Sequence, residues 1–196
     1  ETNVLNELDC RSFMRDQFVS ELAQMQEEAD KPLVMKGMIA NFDLEFLAGL
    51  DVNFVFVNIE RDIREVISSV LRARETFHGD IQQWWSFKPP EFDQLLHEAP
   101  ERQVAAQVML TRSYIQKALK GLPSSRQVHV DYSSFCADPT ETVEKLCSFF
   151  PQRNLRFDKI DPFEVNSSVS YLDRFQLDTI DLGIEWATKT FGLPNS

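Results

Sequence analysis

Two residues that can hold a phosphate, Arg61 and Ser69, lie eight positions apart in the stretch NIERDIREVISSVLRAR. This stretch carries four arginines against three acids, although the whole chain has a formal net charge of −11. Arg61 falls where a predicted strand ends and a helix begins, and the unpaired N–H groups and positive dipole of a helix start favour an anion. The arginine fork and the Ser69 hydroxyl would then hold phosphate oxygens. The acids Glu60 and Asp62 support a second interpretation, in which the charges only stabilise the helix start.

Other catalytic motifs are missing from the sequence. Its six glycines form neither GxxxxGK[ST] nor GxGxxG, and HExxH does not occur. No serine lies in a GxSxG elbow. Three cysteines without a CxxC pair argue against a disulfide framework and against a cysteine zinc site. We therefore expect no metal ion and no glycine-rich phosphate loop.

The composition excludes several classes of partner. A length of 196 residues with 43% hydrophobic content suits one α/β domain over residues 1–196. A pI near 4.7 disfavours binding to nucleic acid or to an anionic membrane surface. No apolar run is long enough to span a bilayer, and no secretory signal is visible. We expect a cytoplasmic protein, while its oligomeric state is not indicated.

Hydrophobic periodicity predicts helices that alternate with strands, which favours a mostly parallel sheet with helical crossovers. The strand 53–59 is almost continuously apolar, as is typical of a strand buried on both faces. Ligands of such sheets bind beyond the carboxyl ends of the strands, where Lys36, Arg61 and Tyr132 fall. The predicted order is helix 6–28, strand 31–37, helix 41–50, strand 53–59, helix 63–71, irregular aromatic segment 77–100, helix 101–120, strand 126–132, helix 139–150 and helix 182–190.

Two segments carry a resemblance to a known family. VFVNIERDIREVISSVLRA resembles the 3′-phosphate-binding segment of sulfotransferases, in which a hydrophobic strand is followed by an arginine and, eight residues later, a serine. Arg61 and Ser69 match both residue types and the spacing. KPLVMKG is similar to the family's strand that ends in a lysine near the sulfuryl group. The resemblance therefore implies a catalytic role for Lys36, and the alternative is a plain charge at the end of a strand.

Two later segments extend the resemblance in the same order. VHVDYSSFCADPTETVEKLCSFF is similar to the family's segment of strand, tyrosine, loop and helix, which implies that Tyr132 lies near the adenine or the 3′-phosphate. EVNSSVSYLDRF resembles the C-terminal segment that folds over the nucleotide. It implies nucleotide contacts from Asn166, Ser167 and Ser168. The resemblance covers roughly residues 33–175.

The resemblance implies a P-loop nucleotide hydrolase-like fold and a reaction. The cofactor would be 3′-phosphoadenosine 5′-phosphosulfate, and a sulfuryl group would pass in line to a hydroxyl or amine of a small-molecule or glycan acceptor. Such a transfer depends on positioning and on stabilisation of charge. Trp84 and Trp85 either line the acceptor pocket or pack onto the core. No residue is assigned as the general base.

The sequence departs from the family pattern in two places. Ile63 stands where the family usually has a proline. Residues 1–32 contain no Ser/Thr-rich loop of the kind that binds the 5′-phosphosulfate in the family. We expect either an N-terminally incomplete chain or a degenerate relative. The alternatives to an enzyme are a non-catalytic nucleotide-binding or scaffold relative, and an unrelated α/β domain in which Arg61 forms a structural ion pair.

Overall fold

The computed structural model describes residues 4–6, 9–10, 13–153 and 155–194, which form two compact units. The helical unit combines the described residues of 61–117 and 166–196 with Val4, and the sheet unit combines those of 5–60 and 118–165. Their main elements, in chain order, are α1 (Arg15–Ala29), α2 (Leu44–Ala48), β1 (Phe56–Glu60), α3 (Ile63–His78), α4 (Phe92–Leu95), α5 (Pro100–Lys120), β2 (Gln127–Asp131), α6 (Tyr132–Ala137), α7 (Pro139–Cys147) and α8 (Arg174–Phe191).

Helix α3 of the helical unit confirms the predicted helix and extends beyond it. Asp62 caps its start, because the carboxylate accepts hydrogen bonds from the backbone N–H groups of Arg64 (2.9 Å) and Glu65 (3.2 Å). The helix ends at Gly79, whose φ of 65° is a left-handed conformation that glycine adopts without strain. Ile67 on its apolar stripe is fully buried. Capping by Asp62 thus confirms one part of the second interpretation, the stabilisation of the helix start.

The core of the helical unit lies among α3, α5 and α8. Helix α8 is longer than predicted, because Asp173 and Gln176 form a capping box well before residue 182. Gly183 allows a close approach, since a Cβ there would meet the Glu101 carbonyl oxygen at 2.9 Å. None of the described helices has both the length and the apolar character needed to cross a membrane. The buried core residues are Ile63, Ile67, Leu95, Val104, Ala105, Ala106, Val108, Met109, Leu110, Ile180 and Ala187.

The sheet unit contains two parallel strands among its described residues. Phe56 lies opposite Gln127, and the register continues to the pair Glu60 and Asp131. Parallel pairing confirms the predicted sheet type. The prediction that β1 is buried on both faces is wrong, since Val57 and Ile59 are exposed. A continuous apolar run shows that a strand can be buried, but it does not show what covers each face.

The predicted strand 31–37 is wrong. The segment is irregular, and Val34 is 95% exposed. Met35 and Lys36 are exposed as well. A strand needs partners for its backbone N–H and C=O groups, and a short apolar run does not supply them. Lys36 therefore does not end a strand.

The remaining elements mostly agree with the sequence. The predicted helix 6–28 is only partly confirmed, since α1 begins at Arg15 and Phe13 and Met14 are not helical; Leu8, which falls in the predicted range, lies outside the described residues. The predicted helix 41–50 is divided into a 3₁₀ turn, Ile39–Phe42, and the short α2. Helix α7 confirms the predicted helix from residue 139 as far as Cys147, and the Asp138 carboxylate caps it by accepting from the Glu141 N–H at 3.1 Å.

Candidate functional site

The carboxylate of Glu65 accepts hydrogen bonds from two parts of the helical unit that are far apart in the sequence. Arg61 Nη2 donates to its Oε2 at 3.0 Å. The backbone N–H groups of Ser168 (2.6 Å) and Val169 (3.3 Å) donate to the same oxygen. The Ser167 hydroxyl donates to Oε1. We call these five residues, Arg61, Glu65, Ser167, Ser168 and Val169, the Glu65 cluster.

Electrostatics in the Glu65 cluster favour the charged carboxylate. Burial raises the pKa of Glu65, but the hydrogen bonds from Ser167, Ser168 and Val169, together with the positive charge of Arg61, outweigh burial, so the net shift of the pKa is downward. The side chains of Arg61 and Glu65 are 22% and 17% exposed. The cluster is thus half-buried, and solvent still reaches its cation.

Arg61 makes two further contacts inside the helical unit. Its Nη2 also donates to the carbonyl oxygen of Asn166, which is 105 positions away in the chain. Arg112 of α5 donates to the backbone carbonyl oxygen of Arg61. These contacts fix both the backbone and the side chain of Arg61 just before α3 begins.

The structure brings together four of the residues that the sequence predicted to contact the nucleotide: Arg61, Asn166, Ser167 and Ser168. It does not bring Ser69 to them. The Ser69 side chain is exposed on α3 and, among the described residues, takes no part in the Glu65 cluster. The neighbouring Ser68 is the buried serine, and its hydroxyl donates to the Arg64 carbonyl oxygen at 2.6 Å.

Two predicted site residues belong to the sheet unit. Lys36 is exposed in the irregular segment 31–37. Tyr132 is half-buried and begins α6, directly after β2, instead of ending the strand as predicted. The Asp131 carboxylate caps that helix by accepting from the Ser134 N–H at 2.7 Å, and this hydrogen bond holds the pKa of Asp131 below its usual range. The roles of Lys36 and Tyr132 remain predictions.

The two tryptophans of the aromatic segment have different surroundings. Trp84 packs against the core of the helical unit, with its ring edge-to-face on Phe92 at 4.8 Å between ring centroids. Its Nε1 donates to the Phe87 carbonyl oxygen at 3.3 Å. Trp85 instead stacks on Phe77, with centroids 4.5 Å apart and ring planes within 2°, and Phe77 is 66% exposed. Trp84 therefore packs onto the core, whereas Trp85 forms an aromatic pair with the exposed Phe77.

Glu65 is the site residue that sequence reasoning missed. Its signal was present, because an acid four residues after Arg61 in a predicted helix is the spacing of an intrahelical ion pair. The hydrogen bond from Val169 had no such signal, because every residue except proline has a backbone N–H and the residue type does not show where it donates. Only the folded chain brings the two segments together.

The comparisons with known proteins agree with this fold. A model of the sulfotransferase family matches residues 3–153 of the 196, so the chain belongs to the sulfotransferase family. Residues 167–169 of the Glu65 cluster lie beyond the matched range. No curated protein matches the chain.

A solved structure shows the same fold. The chain is similar to the "Sulfotransferase Domain from the Curacin Biosynthetic Pathway", with a TM-score of 0.54 and 22% sequence identity. The match covers 87% of this chain and 59% of that chain. The present chain thus spans about six tenths of the length of that solved domain, and it has an α/β sulfotransferase fold.

Proposed function

We propose that this chain binds 3′-phosphoadenosine 5′-phosphosulfate, with Arg61 on the 3′-phosphate, as part of an enzyme that transfers a sulfuryl group to a hydroxyl or amine. One observation supports this proposal above the others. Arg61 and the segment Asn166–Ser168 are far apart in sequence, both were expected to contact the nucleotide, and they touch in the fold. An unrelated domain with a structural ion pair would not need this coincidence.

The chemistry of the Glu65 cluster suits an anionic ligand. Its donors are a guanidinium, a hydroxyl and two backbone N–H groups, and they already surround a carboxylate. An arginine fork matches the geometry of phosphate oxygens. In a chain with a net charge of −11, an anion needs a local cation to offset the overall field. The partly exposed guanidinium of Arg61 is such a cation.

Each residue has a definite task in this proposal. Arg61 would hold the 3′-phosphate, and the Ser69 hydroxyl would add a donor. Asn166, Ser167 and Ser168 would border the nucleotide. Tyr132 would lie near the adenine or the 3′-phosphate, and Lys36 would stabilise charge near the sulfuryl group. The bound nucleotide supplies the group that is transferred, so these residues act by binding and orientation.

The acceptor would be a small molecule or a glycan. The surface pair of Trp85 and Phe77 offers flat apolar area of the kind that lines acceptor pockets. Trp84 has its ring committed to the core, and it would contribute through the shape of the segment that carries Trp85.

A second candidate is nucleotide binding without transfer. It is favoured by the position of Lys36, which lies in an exposed irregular segment instead of at the end of a strand. In that case the nucleotide would bind and no sulfuryl group would move. Transfer of labelled sulfate to a panel of phenols, alcohols, amines and glycans separates the two candidates.

Calorimetry of the full-length protein with 3′-phosphoadenosine 5′-phosphate tests nucleotide binding. We expect Arg61→Ala to weaken binding roughly 10- to 150-fold, the loss of about 1.5–3 kcal/mol that follows removal of a charged hydrogen bond. Arg64→Ala is the matched control, because Arg64 lies one turn away on α3 and pairs with Asp181 at 2.6 Å on the exposed surface. Equal affinity in wild type and Arg61→Ala would overturn the phosphate role of Arg61.

A further inference from the structure

The tail segment, residues 166–170, meets the start of α3 through the carboxylate of Glu65. We propose that Glu65 is a positioning residue, which clasps the tail segment onto the start of α3 and so presents Arg61 and the tail segment together to the nucleotide. This inference rests on the proposed function. It adds a residue that neither the family pattern nor the sequence assigned to the site.

The hydrogen bonds of Glu65 join the start of α3 to the tail segment, and we call this arrangement the clasp. Its Oε2 receives Arg61 from one side and the N–H groups of Ser168 and Val169 from the other. Its Oε1 receives the Ser167 hydroxyl. Four donors reach a group with about four lone-pair sites, three of them at Oε2 and one at Oε1. No neutral side chain of the same size could accept all of them.

Inside the tail segment, local hydrogen bonds complete the arrangement. The Ser170 N–H donates to the Ser167 hydroxyl at 3.2 Å, and the Ser170 hydroxyl donates to the Ser167 carbonyl oxygen at 2.9 Å. The 3₁₀ turn Val169–Tyr171 begins at this point, and Ser168 is buried. The first N–H groups of a helical turn lack partners within the turn, and Glu65 satisfies them. The carboxylate therefore orders the tail segment as well as touching it.

Glu65 could either position Arg61 or compete with a phosphate for it, and the two roles predict opposite effects on nucleotide binding when the carboxylate is removed. If the carboxylate only competed with a phosphate for Arg61, its removal would strengthen binding. If it positions Arg61, its removal releases a long side chain that must lose rotamer entropy when it binds a phosphate. The same carboxylate also holds the tail segment, so its removal loosens both sides of the site. We therefore expect weaker binding.

The test compares Glu65→Gln with Asp181→Asn in the full-length protein. Asp181→Asn breaks an ion pair that Arg64 of the same helix makes, and it leaves the Glu65 cluster intact. The ligands are 3′-phosphoadenosine 5′-phosphate and adenosine 5′-phosphate, which differ only in the 3′-phosphate. We expect Glu65→Gln to weaken binding of the first about tenfold and of the second less than about twofold, and Asp181→Asn to change neither.

A second measurement reports on the clasp without any nucleotide. Amide hydrogen exchange of Ser168 and Val169 is expected to be about tenfold faster or more in Glu65→Gln than in wild type, and unchanged in Asp181→Asn. Unchanged exchange would overturn the clasp. Faster exchange with equal or stronger binding of the 3′-phosphorylated nucleotide would make Glu65 purely structural or a competitor, and would overturn the positioning role.

The two measurements also separate this inference from the proposed function. If wild type binds neither nucleotide, the proposed function fails and the positioning role fails with it, while exchange still decides whether the clasp exists. If wild type binds the 3′-phosphorylated nucleotide and Glu65→Gln binds it equally well, only the positioning role fails.

Discussion

Arg61 and Arg74 lie near opposite ends of α3, in the same helical unit, and have opposite surroundings. Arg61 is partly exposed and pairs with Glu65. Arg74 is 0% exposed; its Nη1 donates to Gln103 at 2.7 Å, while its Nε and Nη2 are buried without a partner among the described residues. Burial lowers the pKa of Arg74 to about 10, although the charge of Glu101 opposes the shift. Solvent reaches one cation, and the other is enclosed by its own fold.

The difference shows what distinguishes a partly exposed arginine from a structural one. Arg74 lies over the face of Trp84, 5.0 Å from the ring centroid, and its hydrogen bond with Gln103 joins α3 to α5. It is also bonded to the Ile81 carbonyl oxygen at 3.3 Å in the aromatic segment. Arg74 is therefore a buried structural residue and not a solvated one. Its charge is tolerated because an aromatic face and oxygen acceptors surround it.

The largest expected effect is on stability at the buried end of α3. Arg74→Ala should lower the free energy of unfolding by about 3–5 kcal/mol, because it opens a cavity and leaves the Gln103 oxygen without its donor. Arg61→Ala should lower it by about 1 kcal/mol or less, as for a partly exposed ion pair. Urea denaturation followed by circular dichroism measures both. Equal losses of unfolding free energy in the two variants would contradict the assignment of Arg74 as structural and Arg61 as partly exposed.

Arg74→Met separates the effect of the buried charge from that of the side-chain volume. It keeps most of the side-chain volume and removes the buried charge, so we expect a loss of only about 1 kcal/mol. A loss as large as that of Arg74→Ala would show that the charge, and not the volume, holds α3 against the aromatic segment.

The second effect separates the two tryptophans. Trp84→Ala should cost about 2–3 kcal/mol of stability, because the ring packs on Phe92, Arg74 and the core. Trp85→Ala should cost about 1 kcal/mol, since it removes one surface stacking partner of Phe77. Thermal unfolding of both variants provides the comparison. A greater loss for Trp85 would contradict its assignment to the surface.

The smallest effect is a pH dependence at the exposed end of α3. The folded-state pKa of Glu65 lies below its ordinary value of 4.5, so its contribution to stability is present above that value and is lost as the pH falls through the folded-state pKa. Wild type should melt about 2–4 °C above Glu65→Gln at pH 7, for roughly 1 kcal/mol, and the gap should shrink as the pH falls below 4.5 and through the folded-state pKa. Glu75→Gln, on the exposed side of α3, is the control. A gap that is constant with pH would contradict the assignment.

Sequence reasoning predicted the long periodic elements well. Helices α3 and α5, the parallel pairing of β1 with β2 and the Asp138 cap follow from apolar spacing and capping residues. It failed where tertiary contacts decide. The run before Gly37 forms no strand, because nothing in an apolar tripeptide guarantees a pairing partner. Of the residues predicted to contact the nucleotide, Arg61 and Asn166–Ser168 meet in the fold, whereas Ser69 stays apart from them.

By itself, the sequence determined the helix that follows Arg61, because the cap at Asp62 and the apolar stripe are local in the chain. It also determined the resemblance to sulfotransferases, which depends on the residue types and spacing of segments in a fixed order. Only the tertiary structure decided that Glu65 receives the tail segment and that Arg74 is buried. Both outcomes depend on contacts between residues that are remote in sequence. The type of a residue indicates neither whether it is buried nor which acceptor its backbone N–H meets.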